Sequence, residues 1–186
     1  MDFYRNLVLA VYLFDKEKLM NDNDRKLIFE LVLNRISEQE FVHRFSVDIN
    51  SNSVMELLIC AYNEKNADGV ADALIVAHKF NLITEGYVNI LCKLLESDWH
   101  YKHEDIARTL QTIKSPSSIE CLYRTALTKF GYLDYNDSSA LARKCTWALG
   151  DINTDESKRK LELIATDEIL SEEIRGYAIK QLSRKR

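Results

Sequence analysis

Residues 134–163 read DYNDSSALARKCTWALGDINTDESKRKLEL, and this stretch decides the fold. Its first half carries apolar residues with helical spacing on one face: Leu141, Cys145, Ala148 and Leu149. Gly150 follows at once and is predicted to end that helix in the left-handed conformation. Thr154 is predicted to cap a second helix, which has its own apolar face. Two helices this short cannot bury both faces alone, so the pattern predicts that they stack on neighbours.

Copies of this pattern lie on both sides of the stretch. Upstream, Leu110, Ile113, Pro116 and Leu122 have the spacing of Leu149, Ile152, Asp155 and Leu161. Downstream, Ile174, Ala178 and Leu182 have the spacing of Leu141, Cys145 and Leu149. Repeats of roughly 33–47 residues with two helices each are typical of α-solenoids. The stretch ALGDI at 148–152, with Ala142 and Arg143 before it, resembles a HEAT repeat.

We therefore predict an all-α protein, an α-solenoid of stacked antiparallel helix pairs with HEAT-like repeats. The chain of 186 residues is predicted to be a single domain, with an N-terminal helical cap at 1–46 and repeats over 53–183. One Pro and five Gly leave little to interrupt the helices. An apolar helix is expected over 2–14, docked into the fold.

The composition limits both the compartment and the partners. Hydrophobic residues make up 46% and charged residues 29%, as in ordinary globular proteins. The sequence shows no signal peptide and no spanning apolar run, so we expect a cytoplasmic protein with no membrane partner. The four cysteines fall about one per helix on apolar stripes, which predicts packed thiols in a reducing compartment rather than disulfides or a metal site. The net charge of −4 disfavours nucleic acid and favours a basic protein partner.

Chemistry-bearing motifs are nearly absent. No phosphate loop, nucleophile elbow or His-Glu-x-x-His motif occurs, so we expect no enzyme, no catalytic residue and no cofactor. His100 and His103 have the spacing of two ligands on one helix face, but no Cys lies close to them in sequence and no second His pair occurs. The alternative is that His103, Glu104 and Asp105 form the polar first turn of a helix, and we predict no metal.

Two irregular segments, 97–105 and 129–137, hold the best candidates for a binding surface. Aromatic side chains alternate there with carboxylates, a composition enriched at interface hot spots and complementary to basic partners. Trp99 and Tyr132 could instead fill gaps between repeats, and that alternative stays open. The predicted partner-binding residues are Asp98, Trp99, His100, Tyr101, His103, Asp105, Tyr132, Asp134, Tyr135 and Asp137.

Two sets of segments carry a resemblance to a known family. One is WHYKHEDIA at 99–107 followed by SPSSI at 115–119; the other runs from ALTKF at 126–130 and YLDY at 132–135 to WALGDI at 147–152. Together they resemble small bacterial HEAT-repeat proteins, several of them immunity proteins of polymorphic or contact-dependent growth-inhibition toxin systems. The resemblance covers about residues 37–182, and its repeat part is not specific to function.

The resemblance implies a function by occlusion. The chain would bind a cognate toxin domain, such as a basic nuclease, with an EndoU-like ribonuclease as one candidate, and cover its active site. The main alternative is a HEAT-repeat scaffold for some other protein. A further alternative is a nucleic-acid-processing HEAT enzyme, which the acidic first half of the chain disfavours.

Overall fold

The computed structural model describes residues 20–133 and 139–184, and every regular element in these ranges is helical. The predicted all-α class is thus confirmed for this part of the chain, while the predicted helix over 2–14 lies outside it. Single 3₁₀ turns at Glu85–Tyr87, Pro116–Ser118 and Gly131–Leu133 accompany the α-helices. The α-helices are α1 (Asp22–Val32), α2 (Glu38–Arg44), α3 (Ser51–Asn63), α4 (Ala67–Lys79), α5 (Val88–Leu95), α6 (His103–Ile113), α7 (Ile119–Leu127), α8 (Ala140–Ile152), α9 (Asp155–Thr166) and α10 (Glu172–Leu182).

The chain divides into two compact units, Met1–Ile83 and Thr84–Arg186. In the N-terminal unit, α1 packs on α2 and α4, and α3 packs on α4. Each of these helices starts at a side-chain cap: Asn21, Ser37, Asn50 and Asn66 accept backbone N–H bonds from the first turn. Ser37 is among them, as its sequence context predicts, because a serine followed three residues later by Glu40 is a common helix start.

The C-terminal unit is organised around α8. This helix packs on α6, α7, α9 and α10, while α5 packs on α6 and α7. Contacts thus join each helix to the next or the next but one along the chain, which is the pattern that stacked helix pairs produce. Leu149 at the centre of α8 is fully buried, as the apolar stripe predicts.

Two helix ends in this unit have the same geometry. α6 ends at Lys114 and α8 ends at Asn153, and both residues are left-handed, with φ of 58° and 56°. A capping hydroxyl follows each of them: Ser115 accepts from the Ser117 N–H, and Thr154 caps α9. The two turns therefore repeat in structure at the shift that the apolar residues show in sequence.

Gly150 has a different role from the predicted one. α8 continues through Gly150 to Ile152, so the prediction that this glycine ends the helix is wrong. A glycine is required at this position because α10 packs directly against it. A Cβ added at Gly150 would lie 2.5 Å from Gln181 Oε1 and 3.0 Å from Gln181 Cβ. The glycine therefore lets α8 and α10 approach closely.

The cysteines also depart from the prediction. Cys92 of α5 and Cys121 of α7 form a disulfide, with Cα atoms 5.5 Å apart. Periodicity placed both residues on packed faces, but it cannot tell a packed thiol from one that faces a second cysteine. Cys60 and Cys145 are free, and burial raises the pKa of the Cys145 thiol.

Candidate functional site

The predicted segment 97–105 contains a pair of buried imidazoles. The rings of His100 and His103 stack with centroids 4.3 Å apart, and both residues are 0% exposed. His100 Nε2 lies 2.8 Å from the Leu94 carbonyl oxygen at the end of α5. His100 Nδ1 accepts the Lys102 backbone N–H at 3.1 Å. These bonds link the turn before α6 to the end of α5.

His103 opens α6 and lies between two rings. The centroid of the Phe130 ring is 4.0 Å from that of His103, and the centroid of the His100 ring is 4.3 Å from it. His103 Nε2 lies 2.6 Å from the Ser97 carbonyl oxygen, and Nδ1 lies 2.7 Å from the Tyr132 hydroxyl. The carbonyl can only accept, so Nε2 carries the proton, and Nδ1 accepts the proton of Tyr132.

Burial keeps this cluster neutral. Desolvation, reinforced by the nearby His100, lowers the pKa of His103 to about 4, against opposing effects from the Ser97 carbonyl and the Asp98 carboxylate. Desolvation also lowers the pKa of His100. Burial raises the pKa of Tyr132 to about 12, so its hydroxyl keeps the proton that it donates to His103. The chemistry of the cluster is thus hydrogen bonding between neutral groups.

An exposed aromatic residue stands above the cluster. Tyr101 is 71% exposed, and its ring contacts the half-buried Tyr132 edge to face, with centroids 5.1 Å apart. Asp98 and Asp105 flank it and are exposed. We call the four residues Asp98, Tyr101, Asp105 and Tyr132 the Tyr101 surface. Since Tyr132 is hydrogen-bonded to His103, the exposed Tyr101 ring contacts a residue that the buried cluster holds in place.

The charges around the Tyr101 surface are mostly acidic. Lys102 Nζ lies 3.5 Å from Asp105 Oδ2. Glu104 in the same turn points instead to α8, where it binds Lys144. The predicted polar first turn of α6 is confirmed, since Glu104 and Asp105 both lie in it. Carboxylates there are favourable because they face the positive end of the helix dipole.

The predicted binding residues thus separate by burial. Asp98, Tyr101 and Asp105 are exposed, and Trp99 and Tyr132 are half-buried. His100 and His103 are buried and cannot touch a partner in this conformation, because their ring nitrogens and faces are already occupied. Three predicted residues, Asp134, Tyr135 and Asp137, lie outside the part of the chain that the structure describes.

Sequence reasoning missed the groups that hold the histidines. They are the carbonyl oxygens of Leu94 and Ser97 and the ring of Phe130. Backbone carbonyls leave no trace in a sequence. Phe130 did lie in the second irregular segment, and its aromatic character was the available signal.

A second aromatic group lies on α8 and α10. The Arg143 guanidinium lies 5.8 Å from the Trp147 ring centre and 5.7 Å from that of Tyr177. Glu173 accepts hydrogen bonds from the hydroxyls of Tyr177 and Ser139, and Trp147 is 37% exposed. This group is therefore joined internally by stacking and hydrogen bonds between two packed helices.

Neither a metal site nor a membrane span is found in the residues described. Within 20–133 and 139–184, no three His, Cys, Asp or Glu side chains come together as metal ligands. No helix in the same ranges combines the length and the apolar run needed to cross a membrane. Comparison of the chain with known proteins finds no matching family model, no matching curated protein and no matching solved structure.

Proposed function

We propose that this chain is a protein-binding module that neutralises a toxin enzyme by covering its active site with the Tyr101 surface. The single observation that carries the proposal is Tyr101 itself. A tyrosine with 71% of its surface in water leaves a large apolar ring unburied. Tyrosine is among the residues that dominate interface energetics once a partner buries them.

The support beneath Tyr101 favours a binding role over chance exposure. Its ring leans on Tyr132, which is bonded to the fully buried His103. A side chain held in place before binding loses less conformational entropy when the complex forms. The Tyr101 surface therefore combines an exposed aromatic group with a rigid base, as a contact residue requires.

The charges beside Tyr101 favour a basic partner. Asp98 and Asp105 are exposed on either side of it in sequence, and the whole chain carries a net charge of −4. Acidic groups around an aromatic contact speed the approach of a positively charged surface and disfavour acidic ones. A nuclease domain whose cleft binds phosphates has a positively charged surface of this kind. The acidic groups beside Tyr101 also disfavour nucleic acid as the direct ligand.

The immunity role and the HEAT-like architecture come from the resemblance. Repeated helix ends at Lys114 and Asn153, together with the packing around α8, support a stack of helix pairs. A stack of this kind is a rigid scaffold for recognition. We infer a non-enzymatic inhibitor that acts in the cytoplasm of the cell that makes it, without a cofactor.

The decisive test is to co-express the chain with the toxin domain encoded beside its gene. We expect a complex that survives gel filtration and restores growth of cells that produce the toxin. Tyr101→Ala should weaken binding by a factor of about 30 or more, which corresponds to the ~2 kcal/mol of a hot-spot residue. Isothermal titration calorimetry measures the loss.

Two variants separate the aromatic and the charged contributions. Asp98→Asn combined with Asp105→Asn should slow association and flatten its salt dependence, with a smaller effect on dissociation. Ile169→Ala is the matched control, because Ile169 is 95% exposed in the turn between α9 and α10 and should have no effect. Equal losses for Tyr101→Ala and Ile169→Ala would remove the Tyr101 surface from the proposal.

The alternative is a scaffold for another cytosolic protein through the same surface. Tyr101 and the neighbouring carboxylates of Asp98 and Asp105 would serve that role equally well. The growth readout distinguishes the two functions. No complex and no rescue with the neighbouring toxin domain would reject the immunity role and leave the scaffold function.

A further inference from the structure

The buried imidazole pair fits its surroundings only when both rings are neutral. His100 donates from Nε2 to the Leu94 carbonyl and accepts the Lys102 N–H at Nδ1. A second proton on His100 would therefore point a ring N–H at a backbone N–H, and two donors cannot share a hydrogen bond. The same proton on His103 would reverse its bond with Tyr132, whose hydroxyl would accept from Nδ1–H instead of donating to it.

If both histidines were protonated, the cluster would hold two positive charges and no negative charge to offset them. The two rings stack at 4.3 Å, so two protonated imidazoles would repel each other at close range without water between them. The other ring contacts of His103 are with Phe130 and Tyr132, and neither ring carries a charge.

The charged groups around the pair do not change this conclusion. From the segment before α6, Asp98 favours protonation of His103, but its carboxylate is exposed. Lys102 in that segment pairs with Asp105 of α6. Glu104 of α6 is bound by Lys144 of α8, and Glu96 after α5 by Arg124 of α7. Tyr132, from the segment after α7, is protonated.

We propose that the His100–His103 pair makes the Tyr101 surface acid-sensitive, because protonation of the pair separates the two rings and shifts Tyr132 beneath Tyr101. Partner binding then weakens as the pH falls. This consequence for binding rests on the proposed function, whereas the change in the free chain does not.

The contacts of the pair continue to both Tyr101 and Trp99. His103 holds the Tyr132 hydroxyl at 2.7 Å, and the Tyr132 ring holds Tyr101 at 5.1 Å. Trp99 contacts the His100 ring edge to face at 5.1 Å. A change in the pair should therefore reach the half-buried Trp99 and the exposed Tyr101 together.

The test is an NMR titration of the free chain from pH 7.5 to pH 3.5. Imidazole ¹H–¹⁵N correlations follow each histidine, and ring signals follow Tyr101 and Trp99. We expect both buried histidines in the Nε2–H form at pH 7, and a midpoint near pH 4 for His103. The Tyr101 and Trp99 signals should move with that midpoint, while helical circular dichroism persists. The exposed His43 in α2 is the control in the same spectrum.

Substitutions assign the transition to the pair. The double variant His100→Gln with His103→Gln cannot take up these protons, so its Tyr101 signal should not follow the transition. This comparison also removes the contribution of carboxylates that titrate in the same range. His100→Gln alone should raise the His103 midpoint, because the repulsion between two cations is gone. Tyr132→Phe keeps both histidines and should uncouple the Tyr101 signal from them.

Three results would overturn the proposal. The first is a His103 midpoint at the ~6.5 of a free imidazole. The second is a Tyr101 signal that ignores the histidines, and the third is loss of helicity in the same step, which would indicate global unfolding. All three are read on the chain without a partner. Failure of the toxin experiment therefore leaves this test intact, and failure of this test leaves the toxin experiment intact.

Discussion

Each of the two units buries a polar cluster near the start of a helix, Asp24 in one and the two histidines in the other, and these two clusters differ in kind. In the N-terminal unit, Asp24 of α1 is 0% exposed and accepts from the Asn21 N–H, the Ser46 N–H and the Ser46 hydroxyl. In the C-terminal unit, His100 and His103 exchange hydrogen bonds with carbonyls, a backbone N–H and a tyrosine. One cluster satisfies a carboxylate, and the other satisfies neutral rings.

The difference teaches what a buried polar group is for. Asp24 links α1 to Ser46, which lies just after the end of α2. None of the bonds of Asp24 leads to an exposed aromatic residue. Its role is to fix local structure. The histidines hold Tyr132, and Tyr132 holds the exposed Tyr101. Asp24 and the two histidines are equally buried. What distinguishes the histidines as the functional candidate is their connection to the exposed Tyr101.

The largest expected effect concerns covalent support, which differs between the units. The C-terminal unit has the Cys92–Cys121 disulfide, whereas Cys60 in the N-terminal unit is free. The bridge closes a segment with a sequence separation of 29 residues, for which chain entropy predicts about 3–4 kcal/mol. We expect Cys92→Ser with Cys121→Ser to lower the free energy of unfolding by that amount. Urea unfolding with and without reductant measures it.

Cys60→Ser is the control for this prediction, and it should not change the response to reductant. Hydrogen exchange resolves the two units separately. The loss should appear in amides of α5 and α7 and leave α1 and α4 unchanged. An unfolding midpoint that is insensitive to reductant would show that the bridge does not support this unit.

The second prediction removes the carboxylate cluster. Asp24→Ala leaves three donors without their acceptor, and water can reach the exposed Ser46. We expect a loss of about 2–3 kcal/mol, since each lost bond to a charged acceptor is partly replaced by water. Thermal unfolding followed by circular dichroism measures the change.

The neighbouring Asp22 supplies the control for that loss. It is exposed in the same first turn of α1, so Asp22→Ala removes a carboxylate from the helix start without emptying a buried site. Only a small loss of helix-dipole stabilisation is expected for it. Equal destabilisation by the two substitutions would show that burial of Asp24 contributes nothing.

The third prediction uses pH to separate the clusters. Because the pKa of His103 falls to about 4 on folding, the unfolded chain takes up a proton near pH 6.5 while the folded chain does not. Stability from this residue is therefore complete above pH 6.5 and declines as the pH falls towards 4. Linkage gives a loss of about 2 kcal/mol by pH 5. His100 acts in the same direction, since burial also lowers its pKa.

Urea unfolding at pH 7.5 and at pH 5 gives the size of this loss. The double variant with Gln at both positions, written His100→Gln and His103→Gln, should lose less stability than the natural chain over the same range. Identical pH dependence of the two proteins would show that the buried pair does not control acid stability.

The sequence predicts more of the fold than of the geometry of the site. Apolar periodicity predicted the helices because burial of one face leaves a direct trace in residue type, as at Leu110 and Leu149. The start of α2 at Ser37 and of α9 at Thr154 followed from capping chemistry. The end of α8 did not, because Gly150 satisfies a tertiary contact with Gln181 rather than a turn.

The site was found as a segment but not as a geometry. Aromatic and acidic residues at 97–105 indicated a special region, yet the sequence placed His100 and His103 on its surface. Their burial depends on carbonyls at the end of α5 and on a ring that is distant in sequence. The disulfide was missed for the same reason, since only the packing of α5 against α7 brings Cys92 to Cys121.

The smallest expected effect on stability belongs to the residue with the largest expected effect on binding. Tyr101→Ala removes a ring that is mostly in water and touches Tyr132 only at its edge. Exposed positions of this kind change the free energy of unfolding by less than ~0.5 kcal/mol. Urea unfolding at pH 7.5 measures it, with Tyr132→Phe as the matched variant for the buried half of the contact. Because Tyr132→Phe removes the bond to His103, it should destabilise the chain more, by about 1 kcal/mol. If Tyr101→Ala were the more destabilising of the two, Tyr101 would be a packing residue, and the distinction between the buried base and the exposed contact would be lost.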